Sequence, residues 1–395
     1  MRIVELFSGC GGTSLGFQNA GFDIVAAYEI WDTAIQCYGM NFKHPVRKAD
    51  LSDTDTVIPM IKADAPDIIT GGPPCQDFSS AGKRIECDRA DLTRSYSIIV
   101  DAVRPKFFVM ENVDRSFKSD TYKEARKIFK DAGYGLTEQI LNASHCGVPQ
   151  SRKRFICVGM LGGPDDFMKE HIQKNMTERP LTLRQYFGNS LDFEYYYRHP
   201  RNYSRRAIFS IDEPAPTMRG VNRPVPKGYP GHPNDALPLD GSIRPLTTLE
   251  RSLIQTFPHT FQWTGSKTDM EQMIGNAVPV KLAEFVAVAL KDFIDSRGVK
   301  RKISDGERFA SWLISEKEYK KRSANDVLSR LKRADGVCSL TEPDDRYVFD
   351  LEHTEKFATL SPAVRSQVRK AVRLYSEFHE SSVDQKGGEE YWNTI

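Results

Sequence analysis

Signatures of metal, disulfide and membrane organisation are missing from this chain. It has seven cysteines in 395 residues, an odd number with no Cys-x-x-Cys pair, and eight scattered histidines. That excludes a disulfide framework and offers no zinc-ligand spacing, so no metal is expected and a reducing cytoplasm suits the thiols. Long apolar runs are absent as well: nothing approaches the ~18 uninterrupted apolar residues of a membrane span. Met1-Arg2-Ile3-Val4-Glu5-Leu6-Phe7-Ser8-Gly9 is interrupted too early for a signal peptide, so no membrane partner is expected. Neither sign of charge is in excess, since 55 Lys+Arg against 53 Asp+Glu leave +2. Any polyanion-binding surface must therefore come from local clustering. Glycine (27) and proline (22) are too few for a collagen-like chain, and 39% hydrophobic residues are too many for a disordered one. At about 150 residues per domain, the length implies two or three domains.

What is present, from residue 1 to about 160, is one phrase repeated: a short apolar run, a Gly- or Asp-containing break, then an amphipathic stretch. This βαβ pattern predicts strands at 3–7, 23–28, 46–49, 67–70, 107–110, 138–142 and 155–159, with helices at 13–20, 31–41, 55–63, 93–103 and 121–132. The expected fold class is α/β, a doubly wound, mainly parallel sheet that binds its ligands at the carboxyl ends of the strands. Residues 162–243 are loop-rich and proline-rich, and helical patterns return at 248–256 and 280–296. Residues 297–333 hold 12 Lys/Arg against 5 Asp/Glu, whereas 334–395 hold 7 against 12. That change of polarity suggests a separate C-terminal helical domain.

The first strand runs into Phe7-Ser8-Gly9-Cys10-Gly11-Gly12-Thr13. Glycines between a strand and a helix let a ligand approach the backbone, and the helix N-terminus offers unpaired N–H groups; a plain tight turn reads equally well. Glu29 ends the second strand, where a carboxylate suits ribose hydroxyls, and Asp50 ends the third, where it suits an adenine amino group. Asp67-Ile68-Ile69-Thr70-Gly71-Gly72-Pro73-Pro74-Cys75-Gln76 is a buried strand followed by a stiff turn that presents a thiol among turn formers and polar residues. The strand after it ends in Glu111-Asn112-Val113. A thiol and a carboxyl on adjacent strand ends suit nucleophilic attack assisted by a proton donor.

Gly9-Cys10-Gly11-Gly12, Pro73-Pro74-Cys75-Gln76, Glu111-Asn112-Val113, Gly147-Val148-Pro149-Gln150-Ser151-Arg152-Lys153-Arg154 and Gly275-Asn276-Ala277-Val278-Pro279 resemble, in order, the motif series of the C5 cytosine DNA methyltransferases of restriction-modification systems. The resemblance implies an S-adenosylmethionine pocket (product S-adenosylhomocysteine) made by Phe7, Gly9, Gly11, Gly12, Leu15, Glu29, Ile30, Asp50, Leu51, Pro74 and Leu92, and closed by Asn276, Ala277 and Val278. It implies Cys75 as the nucleophile at C6 of a flipped cytosine and Glu111 as its partner at N3. Arg154 would be at O2, and Arg152 at a phosphate or the loop. It also implies double-stranded DNA as partner, met by Gln76, Ser79, Lys83 and Arg84 after the nucleophile and by Thr217, Arg219, Arg223 and Arg244 in the recognition region.

The domains expected on this reading are a catalytic and cofactor domain at 1–162 completed by 264–297, a target-recognition domain at 163–263, and a helical domain at 300–395. The chain would act as a cytoplasmic monomer, with a cognate restriction endonuclease cutting at the same site. A tRNA cytosine methyltransferase and a catalytically inactive DNA-binding regulator are the alternatives, and intact Cys75 and Glu111 speak against the latter.

Overall fold

The computed structural model describes residues 1–74, 92–200, 202, 204–298, 306–338 and 345–389. Strands β1 (Arg2–Leu6), β2 (Asp23–Glu29), β3 (Val46–Lys48), β4 (Ile68–Gly71), β5 (Phe107–Val113), β6 (Tyr134–Asn142) and β8 (Lys153–Leu161) form one sheet in the order β3-β2-β1-β4-β5-β8-β6. Helices α1 (Gly12–Asn19), α2 (Asp32–Asn41), α3 (Thr54–Ala63), α4 (Leu92–Val103) and α5 (Asp120–Asp131) join the first six strands. Central strands covered on both faces read as continuous apolar runs: Ile3, Val4, Leu6, Ile68, Ile69 and Phe108 are all fully buried. The chain winds outward from β1 to β3, then returns to place β4 on the other side of β1, so the order reverses between β1 and β4 and opens a crevice at their carboxyl ends.

The first five strands of the sheet order pair in parallel, but β8 pairs antiparallel with both β5 and β6. The reason is the connection from Asn142 to Lys153. It contains only a short 3₁₀ turn, Ala143–His145, and strand β7 (Gln150–Ser151), which is too little for a parallel crossover. Strand β6 also begins at Tyr134, earlier than the expected 138, because Gly133 (φ 79) turns the chain directly from α5 into the sheet. In the region expected to be loops, α6 (Lys169–Asn175) and α7 (Leu183–Phe187) intervene, followed by β9 (Tyr195–Tyr197), β10 (Ile208–Ser210) and β11 (Ala215–Pro216). Helix α7 opens with a capping box, Thr182 with Gln185. So does α9 (Lys267–Asn276), with Ser266 and Asp269.

Helix α8 (Thr248–Ile254) precedes α9, and α10 (Val280–Gly298) follows it. The stretch 267–296 is apolar enough to cross a membrane by composition, yet most of it lies inside the protein, with Val280, Leu282, Val286 and Leu290 in the core. Two glycines on one face of α1 explain how α10 fits. A Cβ on Gly12 would lie 2.3 Å from the Val278 carbonyl oxygen, and one on Gly16 would lie 2.5 Å from Ala283 Cβ and 2.6 Å from the Glu284 amide. Spaced four apart, they form the surface on which residues 278–284 pack back onto the start of the chain. Gly12, expected at the cofactor, also makes room for the Val278 backbone.

The chain divides into two compact units, Met1–Lys291 and Asp292–Ile395. In the second, α11 (Gly306–Ser315), α12 (Lys321–Val337), α13 (Asp345–Glu352), α14 (Glu355–Ala358) and α15 (Pro362–Glu389) enclose their own core of Phe309, Leu313, Leu331, Leu351, Val368, Val372 and Phe378. Within the first unit, Gly16→Ala is expected to cost about 1–3 kcal/mol, since the new methyl meets backbone that cannot swing away. Chemical denaturation measures it, and an unchanged midpoint would remove the close α1–α10 approach.

Candidate active site

At the carboxyl end of β1 the chain turns sharply: Phe7 (φ 55), Gly9 (φ 52) and Gly11 (φ 94) all occupy left-handed backbone. Glu29, at the end of β2, holds this loop. Its Oε2 accepts from the Gly9 amide at 2.7 Å, and its Oε1 accepts from the amides of Ile30 at 2.9 Å and Trp31 at 3.0 Å. The carboxylate retains acceptor capacity beyond these three bonds. A Cβ on Gly9 would meet nothing within 4 Å, and Ile30 beside it is 55% exposed. Open backbone, a carboxylate and an exposed apolar side chain thus lie side by side. Asp50 accepts from the Ser52 amide at 2.9 Å and the Ser52 hydroxyl at 2.7 Å, an Asx-type turn that orients it. Leu51 is in the core, Leu15 packs beneath the loop beside Cys10 and Tyr38, and Leu92 opens α4.

The second half of the site is at β4 and β5, which pair Gly71 with Met110. Glu111 follows directly, and its Oε2 would stand 3.1 Å from a Cβ on Gly72, a tight contact that would push the carboxyl from this place. Arg154 on β8 sets its Nε 2.7 Å from Glu111 Oε1, in a pair whose side chains are only 12% and 17% exposed. Asn112 is buried and donates from Nδ2 to the Pro73 carbonyl at 3.0 Å, tying the Pro73-Pro74 turn to β5. Cys75, Gln76, Ser79, Lys83 and Arg84 lie outside the described residues.

Arg152 corrects an expectation. Its side chain is fully buried, donating to the carbonyls of Met218 at 3.0 Å, Gly275 at 3.1 Å and Ala277 at 3.1 Å. It therefore ties three distant segments together and does not face a phosphate or a surface loop. Burial first, and then the nearby Arg154, push its guanidinium well below the usual arginine range, while Glu111 opposes them. Beside it, Gln150 accepts from the Met218 amide at 2.9 Å and donates to Gln255 Oε1 at 2.7 Å, and Gln255 donates onward to the Ala277 carbonyl at 3.1 Å. The sequence assigned neither glutamine a role of its own, because what defines them is a buried contact with each other across 105 positions. Ala277 and Val278 are thus held by this network and by Gly12, and Asn276 accepts from Gln272 at 2.9 Å.

In the recognition region, Arg244 is likewise corrected. Its fork is bidentate to Glu250, at 2.7 and 2.9 Å, with Asp192 at 3.0 Å and the Phe193 ring 4.8 Å beneath. Hydrogen bonding to Glu250 holds its proton more tightly still. It organises the start of α8, where Thr247 and Glu250 form a capping box, and is not free for DNA. Thr217 donates from its hydroxyl to the Ser151 carbonyl at 2.9 Å. Arg198 donates to the Thr217 carbonyl at 2.7 Å, and Arg219 returns the contact by donating to the His199 carbonyl. From below, the buried Arg251 donates to the Arg219 carbonyl and pairs with Glu271, which also accepts from Thr248 at 2.8 Å. Arg219 is braced on both sides, whereas Arg223 is exposed. A cleft lined by Tyr197, Arg198, His199, Arg219, Val221 and Asn222 opens beside them.

Residues 1–292 match the model of the C-5 cytosine-specific DNA methylases. The chain is 56% identical over 295 residues to the Type II methyltransferase M.HindV of Haemophilus influenzae, a match covering 74% of this chain and 97% of that protein. The chain belongs to the C-5 cytosine-specific DNA methylase family. It is also 52% identical over 297 residues to the Type II methyltransferase M.HgiDI of Herpetosiphon aurantiacus, covering 75% of this chain and 96% of that one. In fold, the Dnmt2 methyltransferase of S. pombe superposes with a TM-score of 0.55 at 20% identity, over 74% of this chain and 98% of that one.

In this cytosine methylase the glycine-rich loop rests on a buried acid that the sequence did not single out. Glu5, inside β1, accepts from the Ser14 amide at 3.1 Å and from the Ser14 hydroxyl. That hydroxyl meets Tyr38 at 2.6 Å, and Tyr38 meets His44 Nε2 at 2.6 Å. Burial pushes the Glu5 carboxyl up from 4.5 to about 8, with the Ser14 hydrogen bonds opposing. Its proton is held more tightly folded than unfolded, so the stability it contributes is complete below the unfolded value and is lost as pH rises through the folded one. Between about pH 5 and 9 the wild type should therefore lose stability relative to Glu5→Gln, which stays neutral throughout. Denaturant titrations of both proteins across that range check this; parallel pH profiles would show that Glu5 is not a buried acid.

Proposed function

We propose that this chain transfers a methyl group from S-adenosylmethionine to C5 of a cytosine flipped out of duplex DNA. It would work as a cytoplasmic monomer, the modification arm of a restriction-modification system whose endonuclease cuts the same sequence. The observation that carries this reading is Glu111. Its carboxyl is seated over Gly72, which precedes Pro73 and Pro74, and is paired with Arg154 at 2.7 Å. A carboxyl and a guanidinium placed together can meet N3 and O2 of one cytosine edge, and the thiol that follows Pro74 is one residue further along.

The residues at the first two strand ends fit the methyl donor. Glu29 keeps a lone pair for ribose hydroxyls, Ile30 offers an apolar face for adenine, and the open backbone at Gly9 admits the ligand's chain. When bound there, the sulfonium supplies an electrophilic methyl. The protein's part begins with Cys75, whose sulfur forms a bond to C6 and pushes electron density to C5, while Glu111 supplies a proton or hydrogen bond at N3. Arg154 holds O2 and, through its ion pair, keeps Glu111 aimed at the ring. After C5 has gained its methyl, loss of the C5 proton expels the Cys75 thiolate and restores the aromatic base. Extrusion of the cytosine costs a few kcal/mol, which contacts to the emptied duplex must offset. Arg223 and the cleft at Tyr197, His199 and Asn222 would face the neighbouring bases.

Cys75→Ser should abolish turnover, and duplex DNA with 5-fluorocytosine at the target should form a covalent adduct only with the parent thiol, since fluorine blocks the last elimination. Denaturing electrophoresis with peptide mapping reads both, and an adduct on another cysteine would end the assignment. Glu111→Gln should slow methylation of plasmid DNA by about 10²-fold or more, the scale of general-acid assistance. A near-normal rate at every pH would remove that role. For specificity, Arg223→Ala should relax preference at one base position at a cost of about 1–3 kcal/mol. Methylation-sensitive sequencing measures this, and an unaltered preference would place base reading elsewhere.

A further inference from the structure

The C-terminal unit has no counterpart in M.HindV, which is matched over 97% of its own length by 74% of this chain. Its own charge pattern supplies a role. Lys317 pairs with Glu377 of α15 at 2.7 Å, and Lys370 of α15 stands 5.9 Å from the centre of the Tyr319 ring. Both contacts draw segment 317–320 against α15. Lys320 and Lys321, at the start of α12, follow Tyr319 directly in the chain, and Lys370 and Arg373 share a face of α15 by their spacing of three. All four side chains are exposed. Among the described residues none of the four has a carboxylate within the 4.0 Å of an ion pair; the pairs formed nearby belong to Lys317 and Arg369.

We propose that Lys320, Lys321, Lys370 and Arg373 form a surface that binds the phosphate backbone of duplex DNA. Unneutralised cations from two helices repel one another, and Lys320 and Lys321 also oppose the positive end of the α12 dipole, where the first turn holds no acid. Such an arrangement costs stability in the free protein, and a closely spaced row of phosphates repays it. An acidic protein could also meet four cations. DNA is favoured because this unit is covalently joined to a methylase whose substrate is DNA, so a second contact on the same duplex gains from high effective concentration. This inference rests on the function proposed above.

The test uses the full chain and a fluorescent duplex of mixed sequence, with binding measured by anisotropy between about 50 and 200 mM salt. In K320Q/K321Q/K370Q/R373Q the slope of log affinity against log salt should flatten by up to about 3.6, about 0.9 per lost phosphate contact. Affinity near 100 mM salt should fall about tenfold or more. K320R/K321R/K370R, which keeps every charge, should retain the parental slope. Should the fourfold variant melt early, K370Q/R373Q on the surface of α15 alone decides, with an expected flattening of up to about 1.8. An unchanged slope in a variant with the parental melting temperature overturns the proposal. Methylation of plasmid DNA by the parent chain is assayed in parallel. Loss of that activity would count against the function, whereas an active parent whose variant keeps its slope counts against this surface alone.

Discussion

A cation with no carboxylate among its hydrogen-bond partners sits at the centre of this protein. Arg152 is fully buried, and a guanidinium removed from water must find acceptors or carry a large desolvation cost. It finds them in three backbone carbonyls, Met218, Gly275 and Ala277, from two segments that each lie more than sixty residues away in the sequence. Breaking any one contact strands a buried donor, so the recognition segment, the end of α9 and the catalytic strand β8 are held in one mutual arrangement. Arg154, two residues on at the start of β8, meets Glu111. The short spacing between the two arginines therefore couples the frame and the reactive pair.

Around that centre the sheet does the placing. Reversal of strand order between β1 and β4 opens the carboxyl edge, and each neighbouring strand delivers one element to it: the turn after β1, Glu29 after β2, the Pro73-Pro74 turn after β4 and Glu111 near the end of β5. Glycines decide how closely these come. Gly72 lets the Glu111 carboxyl lie over its backbone, while Gly12 and Gly16 let α10 close the unit from the far end of the sequence. Beneath the loop, the Glu5, Ser14, Tyr38 and His44 chain satisfies a buried acid by hydrogen bonds without a countercharge.

The recognition region follows a different rule. Its arginines are mostly consumed internally: Arg244 by Glu250, Arg251 by Glu271, and Arg198 and Arg219 by carbonyls of each other's segments. A loop-rich polypeptide with few strands has many backbone carbonyls left over, and arginine is the side chain best shaped to satisfy several at once. Basic composition there therefore overstates the number of groups available to DNA.

Much of this was legible in the amino-acid sequence alone. The alternation of apolar runs and amphipathic stretches set the α/β sheet, because strand and helix periods are local properties of neighbouring residues. The order of the short motifs pointed to the family and, through it, to Arg154, whereas Glu29 and Glu111 were recognisable as candidates because strand ends mark themselves locally. What only the tertiary structure decided was which polar groups face inward. Arg152 and Arg244 read as ligand-binding cations, Gln150 had no role of its own within its motif, and Glu5, Gln255 and Glu271 did not stand out at all. Each was settled by partners distant in sequence, and burial is a property of the whole packing that no local pattern encodes. The antiparallel β8 was hidden for the same reason: strand direction depends on where the chain can return, and only the short connection after β6, seen in place, determines it.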